Sequence, residues 1–200
     1  MLEQTNAFRK AQGLAPLATD PALDKAAQAY ARHMARAGKL GHTVDGRQAA
    51  ERAQAQGYEA CIVAENVGYQ YDSRGYEAPG LARELMEGWK KSPGHRENLE
   101  DGAVSEIGVG IAQDEKGGYF GVQLFGRPRR EAIRFSVQNG AGREIAYRAG
   151  EREFTLPPRA TREHMICRPV TIAIEALKFS RPVRDGATYA VRGQGVSVRE

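Results

Sequence analysis

The sequence lacks a long apolar run and any cysteine pattern typical of a zinc site. Its longest unbroken apolar stretch is residues 60–64, far short of the ~20 residues that a membrane-spanning helix needs. It has two cysteines, Cys61 and Cys167, in neither a CxxC nor a Cys/His spacing. These absences exclude a membrane-spanning helix and a zinc finger. The two cysteines form either one disulfide in an oxidising compartment or two free thiols.

Several short motifs of nucleotide and hydrolase chemistry are also missing. There is no GxxxxGK[ST] phosphate loop, no HExxH helix and no GxSxG turn. The segment Gly108-Val109-Gly110 lacks the third glycine of a dinucleotide site. A net charge of +4 and 8% aromatic residues leave little for phosphate contacts or base stacking, so nucleic acid is disfavoured as a partner.

What remains is an ordinary globular composition. The 200 residues are 41% hydrophobic and 27% charged, which excludes collagen, wholesale disorder and a long coiled coil. A chain of this length buries about 70% of its unfolded surface on folding, so its core does not need a disulfide for stability.

The chain changes character near Pro128. Residues 1–127 show helical periodicity with a few strands and carry a net charge of −2. Residues 128–200 show β-type alternation and carry 14 basic and 8 acidic residues, a net charge of +6. We therefore predict two domains, 1–127 and 128–200, with residues 127–130 as a short linker.

In the first domain, helix signals and strand signals alternate. A helix over residues 2–12 is followed by a second one that Asp20 caps, Pro21 opens and Gly38 closes. Further helices are predicted at 46–56 and from Pro79 to Ser92, and strands at 61–69, 107–111 and 119–125. The glycines between Ile107 and Ile111 indicate that another element packs closely on that strand. The pattern predicts an α-β-α layered domain.

The second domain is predicted to be small, basic and all-β, a sandwich or an open barrel. Asn139-Gly140 is its strongest hairpin signal. Its seven short strands are predicted at residues 132–137, 143–148, 153–156, 163–167, 170–175, 188–192 and 196–199.

Three side chains in the first domain are candidates for chemistry. His42 and His95 lie beside glycines in predicted loops, where functional side chains concentrate, and Glu65 lies in or beside a strand. Spacing alone leaves two interpretations open. The three side chains form either a site or a hydrogen-bonded polar cluster that only shapes the fold.

The order of the motifs resembles the CAP superfamily, which includes cysteine-rich secretory proteins, antigen-five allergens and plant pathogenesis-related class-one proteins. The similarity covers residues 1–127, is nearest to the bacterial SCP-like extracellular type, and does not extend to residues 128–200. It is carried by Asn6-x-x-Arg9, Gly13-Leu14-Ala15-Pro16-Leu17, Asp20, Met34, Gly41-His42, Ala64-Glu65-Asn66-Val67, Trp89, Ser92-Pro93-Gly94-His95-Arg96-x-Asn98-Leu99, Ile107-Gly108-Val109-Gly110 and Phe125-Gly126.

The resemblance implies an α-β-α sandwich with a central cleft faced by two histidines and two glutamates. His42, Glu65 and His95 match three of these positions, and they are the expected ligands of a weakly held divalent metal such as zinc. Glu65 either binds the metal directly, orients a histidine or takes a proton from a bound water. Ser92 stands where the second glutamate of the eukaryotic pattern lies, so a mechanism that needs two carboxylates is in doubt. Asn66 and Ser92 are the expected ligand-binding neighbours.

Two functions from different classes follow. The first is an extracytoplasmic, non-enzymatic CAP-type protein whose cleft binds a metal and a small lipid, peptide or glycan. The alternative is a hydrolase of peptide, ester or cell-wall substrates, with a water activated at His42, Glu65 and His95. A structural adhesion module, in which these residues have no role beyond stability, is the third hypothesis.

The resemblance also implies a secreted or periplasmic location, because the family is mostly secreted; the chain itself shows no signal peptide. The basic second domain is suited to anionic cell-surface polymers, or its charge serves solubility alone. A disulfide between Cys61 and Cys167 is the remaining expectation.

Overall fold

The computed structural model describes residues 1–200, which form two compact units, Met1–Arg130 and Glu131–Glu200. The arginine-rich segment near the division does not form the linker that the sequence suggested. Arg127 and Pro128 complete the last strand of the first unit, and a 3-10 turn over Arg129–Glu131 follows directly. No helix of the chain is both long enough and apolar enough to cross a bilayer.

The first unit consists of five helices and a four-stranded sheet. Its helices and strands, in chain order, are α1 (Leu2–Ala11), β1 (Ala18–Thr19), α2 (Pro21–Ala37), α3 (Ala49–Ala55), β2 (Ala60–Gln70), α4 (Ala78–Lys91), α5 (Pro93–Glu100), β3 (Glu106–Gln113) and β4 (Tyr119–Pro128).

Local sequence signals account for the bounds of α2. Asp20 Oδ1 accepts hydrogen bonds from the backbone N–H groups of Ala22 and Leu23, at 2.8 and 3.0 Å, and Pro21 occupies the first helical position. Gly38 ends the helix in the left-handed conformation, with φ of 59°. The predicted start and end of this helix are confirmed.

The sheet has the order β1-β3-β4-β2, and helices cover both faces. On one face α2 lies against β3 so closely that a Cβ on Gly108 would sit 2.1 Å from the carbonyl carbon of Leu23. On the other face Leu85 of α4 packs against Gly68 and Gly121. The predicted α-β-α sandwich is therefore confirmed, and the glycines of the strands explain how closely its layers approach.

Two elements of the first unit differ from the sequence prediction. Residues Pro93–Glu100 form the helix α5, so His95 lies on a helix and not in a loop. Proline and glycine at its first two positions resemble a turn, but proline is common at the first position of a helix. The helix predicted at 46–56 is shorter, Ala49–Ala55, with a capping box between Gln48 and Glu51.

The second unit contains eight strands in two four-stranded sheets, with the orders β10-β9-β6-β7 and β12-β11-β5-β8. Its core is formed by apolar residues of both sheets. The strands are β5 (Ile133–Asn139), β6 (Ile145–Ala149), β7 (Arg152–Leu156), β8 (Thr161–Ile166), β9 (Thr171–Ile174), β10 (Phe179–Pro182), β11 (Thr188–Arg192) and β12 (Gly195–Arg199).

The all-β prediction for this unit is confirmed, but two of its details were wrong. Strand β10 was missed, and Asn139-Gly140 is not a hairpin turn. β5, which ends at Asn139, pairs with β8 and β11, and β6 belongs to the other sheet, so the segment that begins at Gly140 connects two sheets. The Asn139 amide group is buried and donates to the backbone carbonyls of Arg143 and Leu156.

Both cysteines are disulfide-bonded. The chain has no others, so the bond joins Cys61 and Cys167, as expected.

Candidate functional site

His42 and Glu65 form a hydrogen-bonded pair in the first unit. Glu65 lies in β2, and His42 lies in the loop that follows α2. His42 Nδ1 is 2.8 Å from Glu65 Oε1. A carboxylate oxygen only accepts, so His42 Nδ1 is the donor of this hydrogen bond, and Nε2 is the ring nitrogen that the bond to Glu65 leaves available. The His42 side chain is 55% exposed and the Glu65 side chain 4%, so the histidine is the accessible member of the pair.

The second oxygen of Glu65 is held by a buried arginine. Arg52 Nη2 of α3 lies 2.6 Å from Glu65 Oε2, and the Arg52 side chain is only 5% exposed. Arg52 Nη1 forms a second ion pair with Asp45, at 3.0 Å. The guanidinium also donates to the backbone carbonyls of His42 and Arg47, at 3.1 and 2.6 Å. Arg52 therefore fixes both Glu65 and the loop that carries His42.

Tyr30 of α2 also holds the loop that carries His42. Its hydroxyl donates to the Gly41 carbonyl at 2.5 Å and accepts from the Val44 N–H at 3.0 Å. The Arg52 guanidinium lies 3.5 Å from the centre of the Tyr30 ring, a cation–π contact. Burial raises the pKa of the Tyr30 hydroxyl, so it stays protonated and keeps donating.

His95 completes the group from α5. The His42 and His95 rings lie 6.4 Å apart between their centres and are tilted by 39°. Burial lowers the pKa of His95, and the neighbouring His42 lowers it further. His95 is therefore biased toward the neutral form, in which a ring nitrogen can bind a metal or accept a proton.

Asn66 and Asn98 connect α5 to β2. Asn66 Nδ2 donates to the His95 carbonyl at 3.1 Å. Asn98 Nδ2 donates to the Glu65 carbonyl at 3.1 Å and to Asn66 Oδ1 at 2.9 Å. The Asn66 side chain is fully buried, and its contact with a ligand stays a prediction from the sequence. It holds His95 beside Glu65.

Ser92, the other expected ligand contact, lies at the junction of α4 and α5. Its backbone N–H donates to the Trp89 carbonyl at 3.2 Å, and its carbonyl accepts from the Arg96 N–H at 2.8 Å. It is half-buried, and no hydrogen bond joins it to His42, Glu65 or His95. Its observed role is to separate the two helices.

A metal bound by His42, Glu65 and His95 stays a prediction from the sequence. No group of three or more His, Cys, Asp or Glu side chains in the chain is arranged to hold a metal ion. Glu65 is enclosed, and each of its oxygens already accepts a hydrogen bond. Two imidazoles on one tetrahedral zinc place their ring centres about 5 Å apart. The centres of the His42 and His95 rings are 6.4 Å apart, so the two rings would have to approach each other to share one ion.

Arg52, Asp45 and Tyr30 were not identified from the sequence as parts of this site. Their contacts arise only when α3 and the loop after α2 meet β2, so no local pattern shows them. An arginine at the buried position of a short helix is a weak signal, because buried charges are almost always paired.

The family model of the cysteine-rich secretory protein family, CAP, matches residues 2–125. The chain therefore belongs to the CAP family, through its first unit. A protein of Bacillus subtilis named YkwD, itself uncharacterized, is 29% identical over 128 residues, which are 64% of this chain and 46% of the relative. The match thus spans about half the length of that relative.

Solved structures of bacterial proteins share the fold. An extracellular protein with an SCP domain from Bacillus anthracis is 26% identical, with a TM-score of 0.53 over 63% of this chain and 38% of that chain. An outer surface protein from Borrelia burgdorferi is 23% identical, with a TM-score of 0.56 over 64% of this chain and 89% of that chain. The resemblance to the bacterial members of the superfamily is confirmed.

Proposed function

We propose that the chain is an extracytoplasmic CAP-type binding protein whose cleft presents His42 and His95 to a divalent metal and a small ligand. The observation that carries the proposal is the asymmetry of the cluster. Glu65 is buried, and each of its carboxylate oxygens accepts a hydrogen bond, whereas His42 is half-exposed and its Nε2 is available. The cluster therefore offers imidazole nitrogens outward and keeps its carboxylate as support.

In this proposal His42 and His95 are the protein ligands of the metal. Glu65 accepts from His42 Nδ1–H, an arrangement that orients a ligating imidazole and raises its basicity. When bound, the metal supplies a Lewis acid to which an oxygen of the ligand coordinates. Two protein ligands make the binding weak and dependent on neutral histidine.

The hydrolase hypothesis needs a different base from the one that the sequence suggested. Both oxygens of Glu65 already accept hydrogen bonds, so Glu65 is poorly placed to take a proton from water. His42 Nε2 is the accessible base of the pair. A hydrolase would therefore lose its activity in His42→Ala, and Glu65→Gln would act through the orientation of His42.

The extracytoplasmic location is supported by two observations. Disulfides persist in oxidising compartments and are rare in the cytosol, and both cysteines here are disulfide-bonded. The Bacillus anthracis protein that shares the fold is described as extracellular.

The test is calorimetric titration of zinc at pH 7.5 into the wild type, His42→Ala and His33→Ala. His33 is the matched control, because it is a histidine of the same unit, on α2, and is not one of the proposed ligands. We expect saturable one-to-one binding in the wild type and in His33→Ala, with loss of binding in His42→Ala. No binding in the wild type, or equal binding in all three, would refute the metal site.

A further inference from the structure

A groove of the first unit is lined by none of His42, Glu65 and His95 and is therefore separate from the histidine cluster. It has a volume of about 810 Å³, within the range of about 300–1,000 Å³ typical of ligand sites. Its walls are the end of α2 with the segment after it, the end of β2, and the turn between β3 and β4. Its floor contains Phe120, and Leu40 and Tyr69 lie on its walls.

Exposed apolar side chains concentrate at this groove. Of the four large hydrophobic residues that are exposed, Leu40 and Tyr69 line it at 45% and 40% exposure. Tyr71, at 56% exposure, lies against Gly117 of the bordering turn. Exposed apolar side chains grouped together and rimmed by polar ones mark a binding surface, whereas scattered ones need no explanation.

The two tyrosines are held in place by the glycines of the turn. A Cβ on Gly118 would lie 2.1 Å from the Tyr69 hydroxyl oxygen, so the ring occupies the space that a side chain would need. Tyr69 also packs edge-on against Phe120, with ring centres 4.9 Å apart. Tyr71 follows the end of β2, and a Cβ on Gly117 would lie 3.8 Å from its ring, so both tyrosines border the turn between β3 and β4.

The polar lining of the groove carries no net charge. Arg36 and Lys116 are balanced by Asp114 and Glu115, and Gln113 adds an amide. This balance disfavours a strongly anionic or cationic ligand, and an open groove with so many polar groups does not enclose an acyl chain. Aromatic faces beside hydrogen-bonding groups match a ligand with apolar C–H faces and a hydroxyl rim.

We propose that this groove, lined by Leu40, Tyr69 and Phe120 and bordered by Tyr71, binds an uncharged oligosaccharide of pyranose units. The sugar rings stack on Tyr69 and Tyr71, and their hydroxyls hydrogen-bond to the charged side chains. The site is additional to the proposed histidine cleft. Leu40 lies two residues before His42, and Tyr69 lies four residues after Glu65 on the same strand, so a bound chain runs beside that cleft.

The test is a titration of the ¹⁵N-labelled protein with cellotetraose and with chitotetraose, followed by NMR. We expect saturable shifts of the amide signals of Leu40, Tyr69 and Tyr71 with at least one of the two sugars. Tyr71→Ala is expected to weaken binding by about two- to tenfold, the contribution of one aromatic contact. The exposed Met165 belongs to the other unit, so Met165→Ala is the matched control and keeps wild-type affinity.

His42→Ala separates this proposal from the metal proposal, because it abolishes zinc binding there but leaves sugar binding intact. Absence of saturable shifts with both sugars would overturn the oligosaccharide site. Equal affinity of the wild type and Tyr71→Ala would do so too. Binding of an uncharged peptide of glycine, serine and leucine, without binding of either sugar, would assign the groove to peptides instead.

Discussion

Replacement of Arg52 by methionine tests the buried support of the candidate site. The substitution keeps an unbranched apolar stem but removes the guanidinium group, and with it ion pairs of 2.6 Å to Glu65 and 3.0 Å to Asp45. The Asp45 side chain is 18% exposed and regains some solvent, whereas Glu65 at 4% stays enclosed and unpaired on that side. Loss of one partner from a buried pair costs about 3–5 kcal/mol, a large part of the ~5–15 kcal/mol stability of a domain.

The assay is urea unfolding followed by tryptophan fluorescence. Trp89 is the only tryptophan of the chain, and it is buried in the first unit with its indole N–H bonded to the Val67 carbonyl at 3.0 Å. We expect Arg52→Met to lower the free energy of unfolding by about 3–5 kcal/mol. The control is Arg74→Met, since Arg74 is 88% exposed beside Asp72, and it should change the stability by less than about 1 kcal/mol.

A double-mutant cycle of Arg52→Met and Glu65→Leu measures the interaction energy between Arg52 and Glu65. The loss of unfolding free energy in the double variant should be smaller than the sum of the losses in the two single variants, by at least about 1 kcal/mol. The reason is that the second substitution removes the charge that the first leaves unpaired. Strict additivity, or an Arg52→Met variant as stable as Arg74→Met, would refute the support role of Arg52.

The remaining predictions concern packing and protonation. Gly108→Ala should destabilise the first unit by at least about 3 kcal/mol in urea unfolding, because its Cβ would meet the backbone of α2. Gly94→Ala is the control and should be neutral or slightly stabilising, since nothing lies within 4 Å of its Cβ; equal effects would contradict the close contact. NMR titration should place the pKa of His95 below its ordinary value, and His42→Ala should raise it by removing a like charge. Because this pKa is lowered on folding, the contribution of His95 to stability is present above its unfolded pKa and is lost as the pH falls through the folded value. A His95 pKa that is unchanged in His42→Ala would contradict the proximity of the two rings.

The helices and layers of the first unit were predictable because their signals are local. Asp20, Pro21 and Gly38 fix the ends of α2 by capping and by backbone conformation, which depend on a few neighbouring residues. Gly108 in a strand pattern indicates a close approach of another element, and α2 supplies it. The resemblance to the CAP superfamily, carried by the order of the motifs, predicted that His42, Glu65 and His95 lie together.

Features that depend on distant partners were not predictable in this way. Asn139-Gly140 has the composition of a hairpin turn, but β5 takes partners from later in the chain, β8 and β11. Arg52 gives no local sign that it contacts Glu65, because the two residues meet only through packing of α3 on β2. His95 looked like a loop residue because a Pro-Gly pair precedes it, although tertiary contacts hold that segment as a helix.

The most direct measurement on the candidate site is ¹⁵N NMR of the histidine rings with and without zinc at pH 7.5. We expect His42 to carry its proton on Nδ1, as its bond to Glu65 requires, and zinc to shift the ring nitrogens of His42 and His95 but not those of His33 and His164. A proton on His42 Nε2, or equal effects of zinc on all four histidines, would contradict the proposed cleft.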